Sequence, residues 1–336
     1  MTQQKPGNLF QRMTGKYSIM LVLIVLFLIC TVLNSNFLTW GNLTNVSRQI
    51  SVTTILAFGQ TILIICGMLD LSSGSVMAFA GTLSVIAYKA LITASIASLP
   101  AMIVAALVSI LVAVLCNLLN GIMVTWFKTP AFIATLAMQT MARGAALMMT
   151  AGQNVYQIGD YVVPGQGSLW IVPIPIIIML IFFVFTSYFL TNTRMGRSVY
   201  AIGGNEEAAV ASGIAVKNIK LKAYLINGAL VGIAAVLYMS RVNAGLPNGA
   251  QGAEFDALTT TIIGGTSFSG GLGTAGGTLI GAFIVGFLNN IMNLTKTNSY
   301  LQQIIRGLII ALAVIYDIYA KSRRTRRKLG SLDSKA

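Results

Sequence analysis

Long apolar runs alternate with short interruptions of polar residues, glycine or proline. Roughly 20 apolar residues in a helix cross about 30 Å of hydrocarbon. About ten runs approach or exceed that length, near 17–34, 49–68, 72–90, 101–127, 131–150, 171–190, 223–245, 253–268, 273–294 and 300–318. The eighth departs most from the pattern, being short, rich in Thr and Gly, and opened by Glu254 and Asp256. Thr129-Pro130 opens the fifth as an N-cap followed by proline at the first helical position would. The pattern predicts an all-α polytopic membrane protein of about ten transmembrane helices.

Composition agrees. Hydrophobic residues make up 56% of the 336 and charged residues only 9%, against about 25% charged in soluble domains; the mean hydropathy is +0.80. The +14 net charge does not indicate nucleic acid, because its residues gather at ends and in loops. Basic residues beside spans sort to the cytoplasmic side. Lys5, Arg12 and Lys16 precede the first run, and seven basic residues lie between Lys321 and Lys335. Both termini are therefore expected in the cytoplasm, which requires an even number of spans. Ten spans also place Lys128 and the Arg194–Lys222 loop inside, leaving Arg48, Lys89 and Lys296 outside. The expected layout is one transmembrane domain over 1–336, with a cytoplasmic N-terminus (1–16), a cytoplasmic loop (191–222) and a basic cytoplasmic tail (319–336), in a cell inner membrane and in contact with its lipid.

The chemistry of several function classes is missing. Histidine is absent, and Cys30, Cys66 and Cys116 lie in or beside apolar runs without metal-like spacing, so they read as buried free thiols. No catalytic residue, metal site or bound cofactor is expected. No phosphate-binding G-x-x-x-x-G-K-[ST] loop occurs, so any ATP and Mg would sit on a partner. An ion-coupled secondary transporter of a small polar solute is the alternative class. It fits less well, because proton coupling calls for titratable groups in mid-span and only eight carboxylates exist, several of them in loops.

Between the sixth and seventh runs lies AIGGNEEAAVASGIAV, residues 201–216. Gly203, Gly204 and Asn205 are expected to break the chain's direction, since glycine tolerates positive φ. Glu206, Glu207, Ala208 and Ala209 read as a helix start, with carboxylates at the positive end of the dipole; Ser212-Gly213 ends it within about two turns. So short a helix is unstable alone. It suits docking against another protein, or a plain re-entry turn.

Here the residues resemble a family. Glu207-Ala208-Ala209 followed by Gly213 is similar to the EAA-x3-G coupling helix of permeases in ATP-binding-cassette importers. With MGRSVYAIGGNEEAAVASGI, GMLDLSSGSVMAFAG, TPAFIATLAMQTMARG and FDALTTTIIGGTSFSGGLGTAGGTLIGAFIVGFLNN, the chain resembles ribose-type permeases from about residue 37 to 317. One block departs, reading GMLDLSSGS where such permeases more often have GIDLSVGS. The resemblance implies a path for a monosaccharide or polyol and a coupling element of Gly203 to Ala209 with Gly213. It also implies three partners: a double-cassette ATPase, an extracytoplasmic sugar-binding protein, and a second permease copy or paralogue.

Polar residues inside the runs supply the other candidates. Asp70, Ser72 and Gly74, between the second and third runs, read as a gate or hinge element, or as an ordinary cap on the third span. Gly264, Gly265, Gly270 and Gly271 permit close helix contact or a broken backbone beside a cavity, which a moving gate or hinge, a subunit interface or tight static packing would each use. Asn117, Asn120, Gln139, Asn227 and Asn289 offer donors and acceptors to hydroxyls without net charge, and Phe58 and Phe255 offer faces to a sugar. The amides would serve equally well as interhelical hydrogen bonds, and lipid or core packing accounts for the aromatics just as well.

Overall fold

The computed structural model describes residues 9–312, 314, 315 and 319; the expected N-terminal segment up to residue 8 and the basic tail from 320 lie outside them. The helices are α1 (Leu9–Leu33), α2 (Trp40–Ile65), α3 (Ser73–Thr93), α4 (Ser98–Thr125), α5 (Ala131–Thr150), the single turn α6 (Val163–Gln166), α7 (Ile174–Asn192), α8 (Arg194–Gly204), α9 (Glu206–Ala211), α10 (Val216–Val242), α11 (Ala253–Ile263) and α12 (Ala275–Leu294). A further apolar helix, α13, covers Ser299–Leu312. One two-stranded hairpin, Ser168–Leu169 with Val172–Pro173, precedes α7.

Among the described residues seven helices are long and apolar enough to cross a membrane: α2, α3, α4, α5, α7, α10 and α12. The apolar part of α1 (Ile19–Leu33) and α13 are shorter. The eighth expected span is not one continuous helix. At 1.5 Å per residue the 11 residues of α11 reach only about 16 Å, and the chain then enters the glycine-rich 264–274 connector.

Polarity runs inside out on α4. Its small and polar residues Ala101, Ala105, Ser109, Ala113, Asn117 and Asn120 are buried, while Leu99, Ile103, Leu107, Leu111, Leu115 and Leu119 are 50–67% exposed. A leucine stripe at every fourth position is stable against lipid tails, not water.

The core centres on α2 and α10. Glycine brings α10 against α4: a Cβ on Gly228 would lie 2.8 Å from the Ala113 carbonyl oxygen, and one on Gly232 2.5 Å from Ile110 Cα. Ser109 Oγ donates to the Gly232 carbonyl across the same contact at 2.9 Å. Small residues at such contacts are how membrane helices gain packing where lipid removes any hydrophobic drive. On the periphery α1 joins α12 through Phe27, Phe37 and Phe287, whose ring centroids are 5.5–5.7 Å apart.

The α4–α5 turn corrects one expectation. Pro130 stands at the cap position rather than at the first helical residue. Lys128 turns the chain with φ +54°, and Pro130 follows with ψ 132°, so the helix starts one residue later. The three cysteines are buried and unpaired.

Candidate functional site

The candidate residues fall into three groups. The first is the surface pair α8–α9. Thr193 Oγ1 accepts from the Gly196 amide at 2.9 Å and caps α8. Asn205 ends α8 and caps α9, its Oδ1 accepting from the Ala208 amide at 2.9 Å. Gly203 and Gly204 lie inside α8, contrary to the expected glycine break. Asn205 turns the chain in extended backbone, φ −161° and ψ 108°, and Gly203 serves close packing instead. Ser212 closes α9, and Gly213 follows at φ +81°. Ala209 is buried in a cluster with Ile202, Val216 and Ala223, while Glu207, Ala208 and Val210 face outward. Lys220 Nζ pairs with Glu206 at 2.8 Å, tying α9 to the start of α10.

The second group is a sealed polar network where the chain breaks between α2 and α3. Irregular backbone at membrane depth persists only if its polar groups are satisfied. Gln60 does this from both ends of its amide: Nε2 donates to the Asp70 carbonyl, and Oε1 accepts from the Asp70 amide at 3.3 Å. Tyr224 Oη donates to the Leu69 carbonyl at 3.1 Å. The Asp70 carboxylate, fully buried, accepts from Ser72 N at 2.7 Å, Ser72 Oγ, Ser73 Oγ at 3.1 Å and Asn227 Nδ2 at 2.8 Å. Asn227 also donates to Asn117 Oδ1 at 2.9 Å, and Asn120 Nδ2 to Ser72 Oγ at 3.0 Å. Asp70 thus receives the amide of Ser72, the residue at the N-cap of α3, and four helices meet around it. Phe58 is also fully buried, its ring 6.2 Å from that of Phe183.

The third group surrounds the start of α11. A cavity of about 590 Å³ is lined by Ser75, Gln139, Arg143, Gln251 and Glu254. Others of about 470 Å³, with Phe255, Gln303 and Arg306, and about 240 Å³, with Gln49, Arg241 and Asp256, adjoin it; Gln251 lines all three. Gln139 Nε2 donates to Glu254 Oε1 at 3.3 Å. Glu254 is 3% exposed, and a Cβ on Gly74 would strike its other oxygen, so the starts of α3 and α11 touch. Arg143 donates to the Pro247 and Gly249 carbonyls at 2.7 and 2.8 Å. Arg306 pairs with Asp256 at 3.7 Å and donates to Asn289 Oδ1 at 3.2 Å.

Gly264, Gly265, Gly270 and Gly271 join this end of the molecule to α8. Gly265, Gly270 and Gly271 have φ of +86°, +82° and +76°. A Cβ on Gly264 would lie 2.6 Å from the Gly277 carbonyl oxygen. Sequence reasoning missed Gln251, Ser73 and the hydroxyl of Tyr200, which donates to the Gly273 carbonyl at 2.7 Å. Ser73 and Tyr200 stand inside the blocks that resemble the family, but only the fold shows their partners.

A family model described as the branched-chain amino acid transport system / permease component matches residues 42–314. The chain belongs to this permease family. The permease is similar to the ribose import permease protein RbsC of Bacillus subtilis, 37% identical over 319 residues that cover 94% of this chain and 96% of the relative. The RbsC protein of Haemophilus influenzae is 38% identical over 311 residues, covering 90% and 93%. The D-allose transport system permease protein AlsC of Escherichia coli is 32% identical over 318 residues, covering 94% and 93%. No solved structure matches the permease. The family match takes in α2 to α13, and with them all three groups of residues.

Proposed function

We propose that this multi-pass permease is the membrane subunit of an ATP-binding-cassette importer and forms the path of a monosaccharide such as ribose or a similar polyol. An extracytoplasmic binding protein delivers the sugar, and a separate double-cassette ATPase, which binds the ATP and Mg, drives transport. Two copies of the chain, or this chain with a close paralogue, enclose the path. Counting α1, the α11 half-helix and α13, ten segments enter the membrane. Both termini and α8–α9 then lie in the cytoplasm, in keeping with the basic residues clustered at the termini and between Arg194 and Lys222.

One observation carries the reading: α9 buries a single residue, Ala209, is otherwise tied back by the surface Glu206–Lys220 pair, and presents Glu207, Ala208 and Val210 outward. An element with so small an anchor and so open a face is built to be gripped by a partner. The amides of Gln139, Gln251 and Gln303 that line the cavities, beside Arg143, Glu254 and Arg306, suit the hydroxyls of a neutral polyol and support the substrate class. The names of the relatives, ribose and D-allose permeases, point the same way.

The mechanism has no covalent step in this chain. Partners bind the outward-open and inward-open states with different affinity, and that difference moves the equilibrium. The test is a pull-down from mild detergent with mass spectrometry, followed by sugar uptake into liposomes. Recruitment of a nucleotide-binding subunit, lost in Gly213→Leu, supports the reading. An L-residue at φ +81° costs about 1–2 kcal/mol, which suffices to displace so short a helix. A chain that purifies alone and carries solute on an ion gradient without ATP is instead a secondary transporter.

A further inference from the structure

Movement at α9 has three routes into the bundle. Two are covalent, through Ile214 and Ala215 into α10, and back along α8 through Thr193 into α7. The third is a contact between three backbones where α8 meets the end of α2 and the 264–274 connector.

The covalent route through α10 leads to a fixed post. Gly228 and Gly232 bring α10 to backbone contact with α4, and Asn227 bonds Asp70 and Asn117 in the sealed network. Shifting α10 along its axis would break these contacts together.

The contact route is closer still. The Gly271 amide donates to the Ile65 carbonyl at 2.9 Å. A Cβ on Gly203 would strike that same carbonyl oxygen and lie 2.6 Å from the Gly271 nitrogen. On the facing side, a Cβ on Gly270 would lie 2.9 Å from the Gly203 carbonyl oxygen, and one on Gly271 3.0 Å from Gly204 Cα. Tyr200 Oη holds the Gly273 carbonyl. At the far end of the connector, Gly264 lies against Gly277 and Thr278. Such bare backbone contact leaves no side chain to change rotamer and absorb a displacement.

We propose that the Gly203–Ile65–Gly271 junction fuses α8 to α11, so that movement of the α8–α9 pair reaches the Glu254 and Asp256 end of the cavities through α11 and not through α10. Gly203, Gly271 and Tyr200 are thus positioning residues for coupling. The inference rests on the importer reading above.

The test uses the assembled complex in nanodiscs, with ribose presented by the binding protein. Three quantities are measured: ATPase subunit retained, ribose uptake, and the ratio of stimulated to basal ATP hydrolysis. Gly271→Ala and Tyr200→Phe are compared with Gly276→Ala, where an added Cβ meets nothing within 4 Å. Coupling free energies between sites correspond to factors of about five or more. We expect Gly271→Ala to retain the ATPase subunit while the ratio and uptake each fall at least about fivefold. Tyr200→Phe, which removes one hydroxyl and cannot unfold the bundle, is expected to lower the ratio about twofold. Gly276→Ala should match the wild type. If Gly271→Ala does not assemble, Tyr200→Phe decides alone.

A wild-type ratio in Tyr200→Phe overturns the junction, and so does a Gly271→Ala complex whose only defect is lost ATPase subunit. A wild-type chain that recruits no ATPase overturns the importer reading, and the junction's role falls with it.

Discussion

Replacing Asn227 by alanine probes whether the sealed network holds the bundle together. The side chain spans two bonds, 2.8 Å to Asp70 Oδ2 and 2.9 Å to Asn117 Oδ1, with no exposed surface. After truncation Asp70 keeps the two hydroxyls and the Ser72 amide, so its loss falls near the bottom of the 1.5–3 kcal/mol range for bonds to charged groups, at about 1.5 kcal/mol. The bond to Asn117 adds about 0.6 kcal/mol, the average for side-chain bonds between membrane helices. The expected total is about 2 kcal/mol, roughly a thirtyfold change in the folded-to-unfolded ratio. Reversible unfolding in mixed micelles measures it, with Asp70→Asn and the double variant completing a cycle. Because the two side chains touch, the cycle should show a coupling of at least about 0.5 kcal/mol. A cost under about 0.5 kcal/mol for Asn227→Ala, or additivity within about 0.3 kcal/mol, would refute the claim that this network fastens α10 to the α2–α3 break.

Two further expectations separate packing from the path. Gly232→Leu must push α4 away from α10 and should abolish stable expression, whereas Gly144→Leu, where an added Cβ meets nothing within 4 Å, should accumulate normally; fluorescence-detected size exclusion reads both. Arg306→Ala leaves the half-buried Asp256 without its ion partner and should reduce uptake of the proposed sugar about tenfold or more at unchanged membrane level, with Asp256→Asn in the same chain restoring part of it, since a charge left unpaired away from water costs more than a neutral pair.

The sequence carried the class of the molecule plainly, because run length against hydrocarbon thickness is a one-dimensional property. It also carried α9: Glu206-Glu207-Ala208-Ala209 starts a helix and Gly213 ends it for local reasons that survive in the fold. It misplaced the turn before α9, because the sequence cannot tell a glycine needed for its φ from one needed for its missing Cβ. Gly203 is helical and bare because Ile65 and Gly271 press on it, and those partners are more than 60 positions away. The same holds for the asparagines. Asn117, Asn120 and Asn227 belong to the interhelical network, while Gln139 and Asn289 sit near cavities, and nothing in their local sequence distinguishes the two sets. The eighth span failed as a continuous helix because its Thr- and Gly-rich second half forms a connector rather than a helical turn.

The position of α2 has a consequence for how the chain enters the membrane during synthesis. It is the innermost helix, and it carries Arg48 and the buried Ser51, Thr54, Gln60 and Thr61. The helix α10 that covers much of it emerges some 150 positions later along the chain. The leucine-striped α4 can partition into lipid unaided, but α2 leaves the insertion machinery with its polar groups still unmatched. A nascent chain that stops before α10 should therefore keep α2 loosely held and open to degradation. Completing the bundle, rather than inserting each span in turn, is what commits this protein to the bilayer.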